Sequence, residues 1–368
     1  MTRVSIVGGG NAGCITALYL SWYIKDLEVE LIYNPDVPCE RVGQATVLDP
    51  PKLLWSSIGF DWYHNPINAT FKSGILYEGW GKSNDKVFHG FPANSMAMHY
   101  CPWEMQNAVL KSGVFKVIEG EVDPKDVDAD YVFDCRGKPN DYSDYEELVN
   151  PTNACLLGKP NWDTTKAFWS RHIATPDGWT FVIPTHSQSP SHDYSVGYCY
   201  NSDITQKEVA EYNFLEMFDV EITKHVGYKN YGAKNPIDGR VILNGNRLFF
   251  LEPLESSSVQ AYIECARFFM DYIITKKESI EQAAHSAKEY IKELCFQTPF
   301  LVINTSCGIG KYKFNKIGYD NNDDLVLEYI LVNDRKYNDT PNISYKLGKF
   351  YYLSAEQVLY AFKYFANT

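Results

Sequence analysis

The N-terminal stretch constrains the fold of this chain more than any other. A short β-branched run over 4–7 leads into the pattern Gly8-x-Gly10-x-x-Gly13, and an apolar helical pattern follows directly. Gly8 permits a tight strand-to-helix turn, Gly10 lets a pyrophosphate approach the backbone, and Gly13 allows the helix to pack closely on the strand. A second strand over 28–32 arrives at the expected distance. This order predicts a Rossmann-like sheet that binds a dinucleotide.

The position that usually binds the ribose departs from the common pattern. A carboxylate is expected directly after the second strand, but this chain has Tyr33-Asn34 there. Asn34 could still hydrogen-bond a ribose hydroxyl, and Glu30 or Asp36 are alternative partners. The argument for pyrophosphate binding does not depend on this position.

NAD and FAD share the glycine fingerprint, so the rest of the chain has to distinguish them. Residues 130–137, DYVFDCRG, predict a late strand of the same sheet that ends at a small turn, as is common in flavoproteins of the glutathione-reductase type. No second GxGxxG follows that would hold a nicotinamide nucleotide. The sequence therefore favours FAD, without an NAD(P)H site of its own.

Charge and hydropathy exclude several classes of function. The 368 residues include 34 basic and 46 acidic side chains, a net charge of −12 without a local basic block, so no nucleic-acid partner is expected. Neither a basic-then-apolar leader nor an apolar run of about 18 residues occurs, which predicts a cytoplasmic protein with no membrane partner. Nine dispersed cysteines without a CxxC pair predict reduced thiols, and no metal site is expected.

Six segments match, in order, the motifs of one known family. They are VGGGNAG (7–13), RVGQATVLDP (41–50), FKSGILYEGW (71–80), VFDCRG (132–137), GWTFVIP (178–184) and LEPLESS (251–257). With these motifs the chain resembles the flavin-dependent halogenases of the tryptophan-halogenase type, and among them a compact member of viral or environmental kind. The FK and LEPLES motifs are the most specific of the set.

The chain also departs from that family, and the departures bear on the substrate. Gln44 stands where the family has Glu, Phe181 replaces the second Trp of WxWxIP, and Ser257-Ser258 replaces Thr-Gly. The segment after Trp80 and the C-terminal region are both short compared with tryptophan halogenases. Since the missing pieces build the substrate box in those relatives, the resemblance does not carry tryptophan over as the substrate. An electron-rich aromatic small molecule is expected instead.

The resemblance implies a reaction that uses FAD as FADH2, O2 and a halide ion. Halide would be oxidised to hypohalous acid, which halogenates the arene, and a separate NAD(P)H-dependent flavin reductase would supply the FADH2. Lys72 would capture or hydrogen-bond the oxidant, and both roles suit an amine or ammonium in a partly dry pocket. We expect Lys72 on a strand, with Gly74 and Leu76 on the same face.

The LEPLESS segment and the helix after it supply the other catalytic candidates. The resemblance places Glu255 beside the lysine, as the group that orients the oxidant or takes the arenium proton, and Ser256 on the substrate side. The backbone N–H groups of Ser257 and Ser258 match the family's halide site, because a helix N-terminus attracts an anion. Ser256 or Ser257 could equally serve as a helix N-cap.

The resemblance also implies the residues that contact flavin and substrate. Flavin contacts are expected at Gly8, Gly10, Asn11, Ala12, Gly13, Asn34, Val37, Val42, Ala45, Asn246 and Val259. Substrate contacts are expected at His99, Tyr100, Trp179 and Phe181. Packing in the protein core explains the aromatic members of the second set equally well.

The expected fold class is α/β, with a Rossmann-like FAD-binding core of the glutathione-reductase type over 1–275. A β-rich substrate region is inserted at about 51–103 and 138–239, and a mostly helical part over 276–368 packs on the core. Two other functions remain open for this fold. One is a flavin-dependent monooxygenase that hydroxylates its substrate, and the other is a non-catalytic FAD-binding redox sensor.

Overall fold

The structure, a computed structural model, describes residues 1–46, 49–78, 86–91, 97–147, 152–250 and 258–269, together with Pro253, Ser256, Asp271, Ile274 and Gln282. The helices in these residues are α1 (Asn11–Tyr23), α2 (Asp49–Ile58), α3 (Pro102–Leu110), α4 (Lys207–Met217) and α5 (Ser258–Phe269). The predicted C-terminal part over 276–368 lies outside the described residues except for Gln282.

The strands of the described residues are numbered in chain order. They are β1 (Thr2–Val7), β2 (Leu27–Tyr33), β3 (Gln44–Ala45), β4 (Thr70–Phe71), β5 (Gly74–Glu78), β6 (Lys86–Gly90), β7 (Met98–Tyr100), β8 (Lys116–Glu119), β9 (Tyr131–Asp134), β10 (Tyr145–Glu147), β11 (Ala154–Pro160), β12 (Ser170–Thr175), β13 (Gly178–Val182), β14 (Val196–Tyr200), β15 (Val220–Gly227), β16 (Tyr231–Ala233), β17 (Ile237–Asp238), β18 (Val241–Leu243) and β19 (Phe249–Phe250).

A six-stranded sheet with the order β17-β18-β9-β1-β2-β8 forms the first half of the fold. β17 and β18 pair antiparallel, and all other neighbours are parallel. The carboxyl ends of β9, β1, β2 and β8 therefore open on one edge, where α/β sheets bind their ligands. This arrangement confirms the Rossmann-like α/β fold that the sequence predicts.

Helix α1 packs closely on this sheet because glycine stands at its first turn. A Cβ on Gly13 would lie 1.8 Å from the Gly8 carbonyl oxygen, so a larger residue would push the helix away. Buried residues follow along α1 from Ala12 to Leu20, and the helix contacts α2, α3 and α5. The largest cluster of buried apolar side chains lies around this helix and joins the sheet to the helices.

A seven-stranded sheet with the order β15-β11-β14-β13-β12-β5-β6 forms the second half. One face buries Trp179, Phe181 and Ile183, and the opposite face packs Val182 and Tyr198 near Phe214 of α4. A small sheet with the order β3-β7-β4 brings residues near 45, 70 and 99 together. Strands from both sequence segments predicted as the β-rich insertion thus share the large sheet.

The strand predicted around Lys72 is interrupted in the structure. β4 ends at Phe71 and β5 begins at Gly74, so Lys72 does not share a strand face with Gly74 and Leu76. The backbone N–H of Lys72 donates to Ala97 O (2.9 Å), and that of Ser73 donates to Phe168 O (2.6 Å). The physical reason is that β4 belongs to the small sheet and β5 to the large one, and Lys72 lies where the chain changes sheets.

Two compositional predictions can be compared with the described residues. The seven cysteines among them are all free thiols, and every one except Cys39 is buried, as the dispersed spacing predicts. In the ranges that the structure covers, no helix is both long and apolar enough to cross a membrane.

Candidate active site

A cleft opens at the carboxyl edge of the six-stranded sheet, next to the glycine turn. Gly8 adopts a φ of +121°, and a Cβ there would lie 2.4 Å from the Cys135 carbonyl oxygen. A Cβ on Gly10, in contrast, would meet no atom within 4 Å. The turn is therefore tightly packed behind Gly8 and open in front of Gly10, so a ligand can approach the backbone at that point.

The predicted flavin-binding residues divide into two groups. Seven of them line the cleft: Gly8, Gly10, Asn11, Ala12, Asn34, Val37 and Asn246. Gly13 packs behind the turn, and Val259 is buried in the core around α1. Val42 packs against the buried face of the large sheet, and Ala45 pairs with His99 across β3 and β7. These last four do not line the cleft.

Other residues line the cleft that the sequence analysis did not single out. They include Tyr33, Cys39, Glu40, Gln106, Glu121, Val122, Arg136, Gly137 and Tyr262. Gln106 Nε2 donates to the Gly9 carbonyl oxygen at 2.7 Å, which ties α3 to the glycine turn. Arg136 is held by hydrogen bonds from Nε and Nη2 to Asp134, both 2.9 Å long. Tyr33, Arg136 and Gly137 lie at the ends of predicted strands, and for these three that position was the available signal.

The cleft fits the phosphate-bearing part of a flavin dinucleotide. The Gly10 N-cap of α1 has no side-chain cap, so first-turn N–H groups remain available to an anion. The Oδ1 atom of Asn11 is buried and has no hydrogen-bond partner among the described residues. Buried polar atoms are normally paired, so this acceptor and the open space at Gly10 both favour a bound polar ligand.

Lys72 lies in a second site, between the small and the large sheet. The side chain is completely buried, and Nζ donates to the carbonyl oxygen of Thr46 at 3.0 Å. Thr46 is itself held on both sides by Met98, since its N–H donates to Met98 O (2.8 Å) and its Oγ1 accepts from Met98 N (3.1 Å). Nζ is also 5.4 Å from the centre of the Phe91 ring. Burial lowers the pKa of Lys72 to about 7.

His99 occupies the same site, and its hydrogen bonds indicate which ring nitrogen carries the proton. Nδ1 lies 3.1 Å from Thr70 Oγ1, and Nε2 lies 3.0 Å from Ser170 Oγ. The Thr70 hydroxyl donates its proton to Pro184 O at 2.9 Å, so it accepts from His99 Nδ1–H, and Nε2 accepts from Ser170. Burial first, then Lys72 and His172, hold the pKa of His99 well below its ordinary value. Both nitrogens of this neutral ring are thus used by the protein.

His172 also belongs to this site, although the sequence does not predict it. It is buried on the face of β12 that also carries Ser170, and its ring lies 5.3 Å from the ring of Trp179. Burial, followed by the nearby Lys72, holds the pKa of His172 well below its ordinary value. Nothing in the motif pattern marks a histidine at this position, since the contact arises only when β12 pairs with β5 and β13.

The four predicted substrate residues do not all face Lys72. Trp179 and Phe181 lie on the same sheet face as His172, with their rings 6.0 Å apart. His99 and Tyr100 point to opposite sides of β7 because strand side chains alternate. Tyr100 is buried in the core around α1, next to cleft-lining residues such as Tyr262. The structure therefore brings Lys72, His99, His172 and Trp179 together, and Tyr100 lies elsewhere.

Of the LEPLESS candidates, the described residues include Ser256 and Ser258. Ser256 has a φ of +57°, uncommon for a residue other than glycine, and its N–H bonds Pro253 O at 3.2 Å. Ser258 opens α5, and its side chain hydrogen-bonds Tyr262. Glu255 and Ser257 lie outside the described residues. The left-handed residue thus stands directly before the helix whose first turn is the predicted halide site.

The fold and the two sites define the class of protein: a Rossmann-like α/β protein with a cleft at the carboxyl edge of its parallel strands and a buried lysine between the small and the large sheet. The family model described as tryptophan halogenase matches residues 3–116 and 121–296. The chain belongs to this family, whose members are flavin-dependent halogenases, and the resemblance seen in the motifs is confirmed.

Solved structures agree at the level of the fold. The tryptophan 5-halogenase MibH superposes with a TM-score of 0.76 at 17% identity, over 99% of this chain and 86% of that chain. A tryptophan halogenase from Shewanella frigidimarina superposes with a TM-score of 0.72 at 16% identity, over 90% of this chain and 83% of that chain. The apo structure of VirX1 superposes with a TM-score of 0.68 at 16% identity, over 99% of this chain and 97% of that chain. Among the curated proteins none matches.

Proposed function

We propose that this protein is an FADH2-dependent halogenase that makes hypohalous acid from halide and O2 and halogenates an electron-rich aromatic small molecule through Lys72. The observation that carries the proposal is the state of that lysine. It is completely buried, and its pKa is lowered to about 7, so a large fraction is neutral amine near neutral pH. A neutral amine is a nucleophile, whereas an ammonium group is not.

The cleft at the six-stranded sheet is the proposed FAD site. The first-turn N–H groups of α1 would hold the pyrophosphate, and the open space at Gly10 would let it approach. Bound as FADH2, the flavin would give two electrons to O2 and the halide would give two more, which yields hypohalous acid and water. Since the described residues contain one dinucleotide fingerprint, a separate NAD(P)H-dependent flavin reductase is the proposed source of FADH2.

Lys72 then carries the halogen to the substrate. The amine lone pair attacks the halogen of the hypohalous acid, an N–halogen bond forms as the halogen–oxygen bond breaks, and the released hydroxide leaves as water with one amine proton. The arene next attacks the halogen as the N–halogen bond breaks, and the nitrogen takes up a proton from water to become the amine again. The arenium proton needs a base, and we assign that role to Glu255, with Ser256 on the substrate side.

Halide binding is assigned to the start of α5. The first-turn N–H groups of a helix are free donors with positive potential, which favours an anion. We assign the halide to the N–H groups at Ser257 and Ser258, next to the left-handed Ser256. The buried aromatic cluster of Trp179 and Phe181, packed beside His172, is the proposed contact for the arene.

The proposal can be tested with a lysine variant and a matched control. Lys72→Met keeps a chain of similar length but removes the amine, so halogenation of an added phenol or indole should fall by at least about a thousandfold. FAD affinity should stay within about twofold, because Lys72 does not line the cleft. Lys52→Met, an exposed lysine of α2, should change neither. The assay contains FADH2, O2, one halide and catalase, and product is measured by mass spectrometry.

The same assay separates the competing functions. A hydroxylated product that forms without halide would identify a monooxygenase, and tight FAD binding without any product would identify a redox sensor. Full halogenation by the Lys72→Met variant would refute the role of the amine.

A further inference from the structure

The structure provides a candidate for the ribose-binding group that is missing from its usual place. Asn34 lines the cleft, but its Oδ1 already accepts the backbone N–H of Asp36 at 2.8 Å. Glu30 is bound by Ser5 Oγ at 2.8 Å and Lys116 Nζ at 3.1 Å, and it does not line the cleft. Asp36 does not line the cleft either, so none of the three residues named from the sequence presents a free carboxylate to a ribose there.

A carboxylate reaches this place from the neighbouring strand. β8 runs parallel to β2 and ends at Glu119, and the N–H of Gly120 donates to Tyr33 O at 2.9 Å. This bond holds the next residue, Glu121, beside the end of β2. Glu121 lines the cleft, and its Oε2 accepts a hydrogen bond from Asn34 Nδ2 at 3.2 Å. No residue in the described part of the chain hydrogen-bonds its other carboxylate oxygen, Oε1, which is therefore available to a ligand.

We propose that Glu121 is the ribose-binding carboxylate of the cofactor site, with Asn34 as the residue that positions it. The ligand is the adenosine ribose of FAD, so this inference rests on the cofactor assigned under the proposed function. A carboxylate at the end of β2 binds vicinal hydroxyls in the common pattern. Here the same chemistry comes from the strand next to β2, and Asn34 takes the place of the lost carboxylate by orienting the new one.

Charge repulsion alone and the proposed hydrogen bonds predict opposite changes in FAD affinity when the charge of Glu121 is removed, so one variant distinguishes them. FAD carries a negatively charged pyrophosphate, so removing a nearby carboxylate should strengthen binding if only charge matters. If Glu121 accepts hydrogen bonds from the ribose, its neutralisation should weaken binding instead.

FAD and, in a separate experiment, ADP are titrated into the 368-residue protein, and calorimetry measures the Kd of each ligand. Glu121→Gln should raise the Kd for both ligands by about tenfold, because both contain the adenosine ribose. Glu119→Gln is the matched control, since it removes the same charge two residues away, from a side chain that bonds Tyr33 but does not line the cleft. It should leave both Kd values within about twofold or tighten them slightly.

Each contrary outcome has a distinct meaning. Unchanged or tighter FAD binding by Glu121→Gln overturns the role of Glu121 while leaving the halogenase proposal standing. Equal weakening by both variants overturns it as well, because a ribose contact is specific to one position. If the wild-type protein does not bind FAD, the cofactor assignment fails and this role fails with it.

Discussion

At the scale of single residues, burial rather than a charged neighbour sets the chemistry of the Lys72 site. Burial alone accounts for the lowered pKa of Lys72. His99 and His172 are also neutral because burial disfavours their charged forms, and Lys72 reinforces this effect. The described part of the site thus favours neutral bases over cations, which suits the proposed role of the Lys72 amine as the carrier of the halogen.

The pH dependence of the reaction tests this view. Because the pKa of Lys72 is about 7, the neutral amine fraction grows as the pH rises through neutrality, and the halogenation rate should rise with it. His99 and His172 should not add a further pH-dependent step to the rate profile, since their pKa values lie well below the ordinary range. The measurement is the initial rate of halogenation between about pH 6 and pH 9 at a fixed FADH2 supply.

A second variant decides between the two roles of the lysine. Arginine stays charged at these pH values and cannot act as an amine nucleophile, so Lys72→Arg should be inactive throughout. A rate that falls as the pH rises, or an active arginine variant, would show instead that a cation hydrogen-bonds the oxidant.

At the scale of elements, the pairing of β13 with β14 fixes the position of the Phe181 ring. Phe181 is paired with Gly197 in the antiparallel register. A Cβ on Gly197 would lie 2.2 Å from Phe181 Cζ, so the Phe181 ring lies across the space that a larger residue would fill. The phenylalanine at the place of the family's second Trp is therefore matched by a glycine on the adjacent strand.

Gly197→Ala should displace the Phe181 ring and destabilise the protein by about 1–3 kcal/mol, the usual cost of overpacking. Gly227→Ala on β15 is the matched control, because the nearest atom to a Cβ there is 3.9 Å away, and its effect should stay within about 0.5 kcal/mol. Urea unfolding of both variants measures the difference. Equal stability of Gly197→Ala and wild type would show that the sheet relaxes around the added methyl group.

At the scale of the whole molecule, the Lys72 site lies at the junction of the two halves. Thr70 Oγ1 donates to Pro184 O at 2.9 Å, Ser191 Oγ donates to Arg41 O at 2.5 Å, and Ser189 Oγ donates to Glu104 Oε2 at 2.9 Å. These bonds connect the segment after β13 with β4, with the segment before β3 and with α3. The buried lysine is thus enclosed by parts of the chain that are distant in sequence, and the enclosure has an energetic cost.

Removing Lys72 should stabilise the whole protein, with a defined pH dependence. In the unfolded chain the amine titrates near its ordinary value of 10.5, and in the folded protein near 7. Between these two pH values the unfolded state binds more protons than the folded state. The free energy of unfolding of the wild-type protein therefore decreases as the pH falls from 10.5, and this loss is complete below about pH 7. Lys72→Met removes this cost but also loses the hydrogen bond to Thr46. Its free energy of unfolding at neutral pH should therefore exceed that of the wild type by on the order of 3 kcal/mol.

The gain should shrink as the pH rises and turn into a small loss near pH 10.5, where both states hold a neutral amine and only the missing bond to Thr46 remains. Urea unfolding of Lys72→Met and wild type at several pH values measures it, with Lys52→Met as the exposed control. A variant that is less stable than wild type at every pH would mean that the hydrogen bond to Thr46 outweighs the cost of burial.

The sequence was a good guide where the determinants are local. The glycine turn, the flanking strands and the late strand over 131–134 lie where periodicity and turn chemistry predict them. The prediction of a continuous strand through Lys72 was wrong. The backbone N–H groups of Lys72 and Ser73 donate to the carbonyl oxygens of Ala97 and Phe168, which do not continue a strand ladder. Those partners are separated from Lys72 by 25 residues and more, so no local pattern records them.

By itself, the sequence determined the family, the α/β class, the glycine cradle and the identity of Lys72 as the central candidate, since each rests on a short motif with a mechanism. Only the tertiary structure decided which groups surround that lysine: Thr46 as its hydrogen-bond acceptor, His99 as a neutral ring held by Thr70 and Ser170, and His172 beside Trp179. It also brought Glu121 to Asn34 across two parallel strands. The physical reason is that burial and side-chain partnership are properties of sheet pairing and packing, which join residues far apart along the chain.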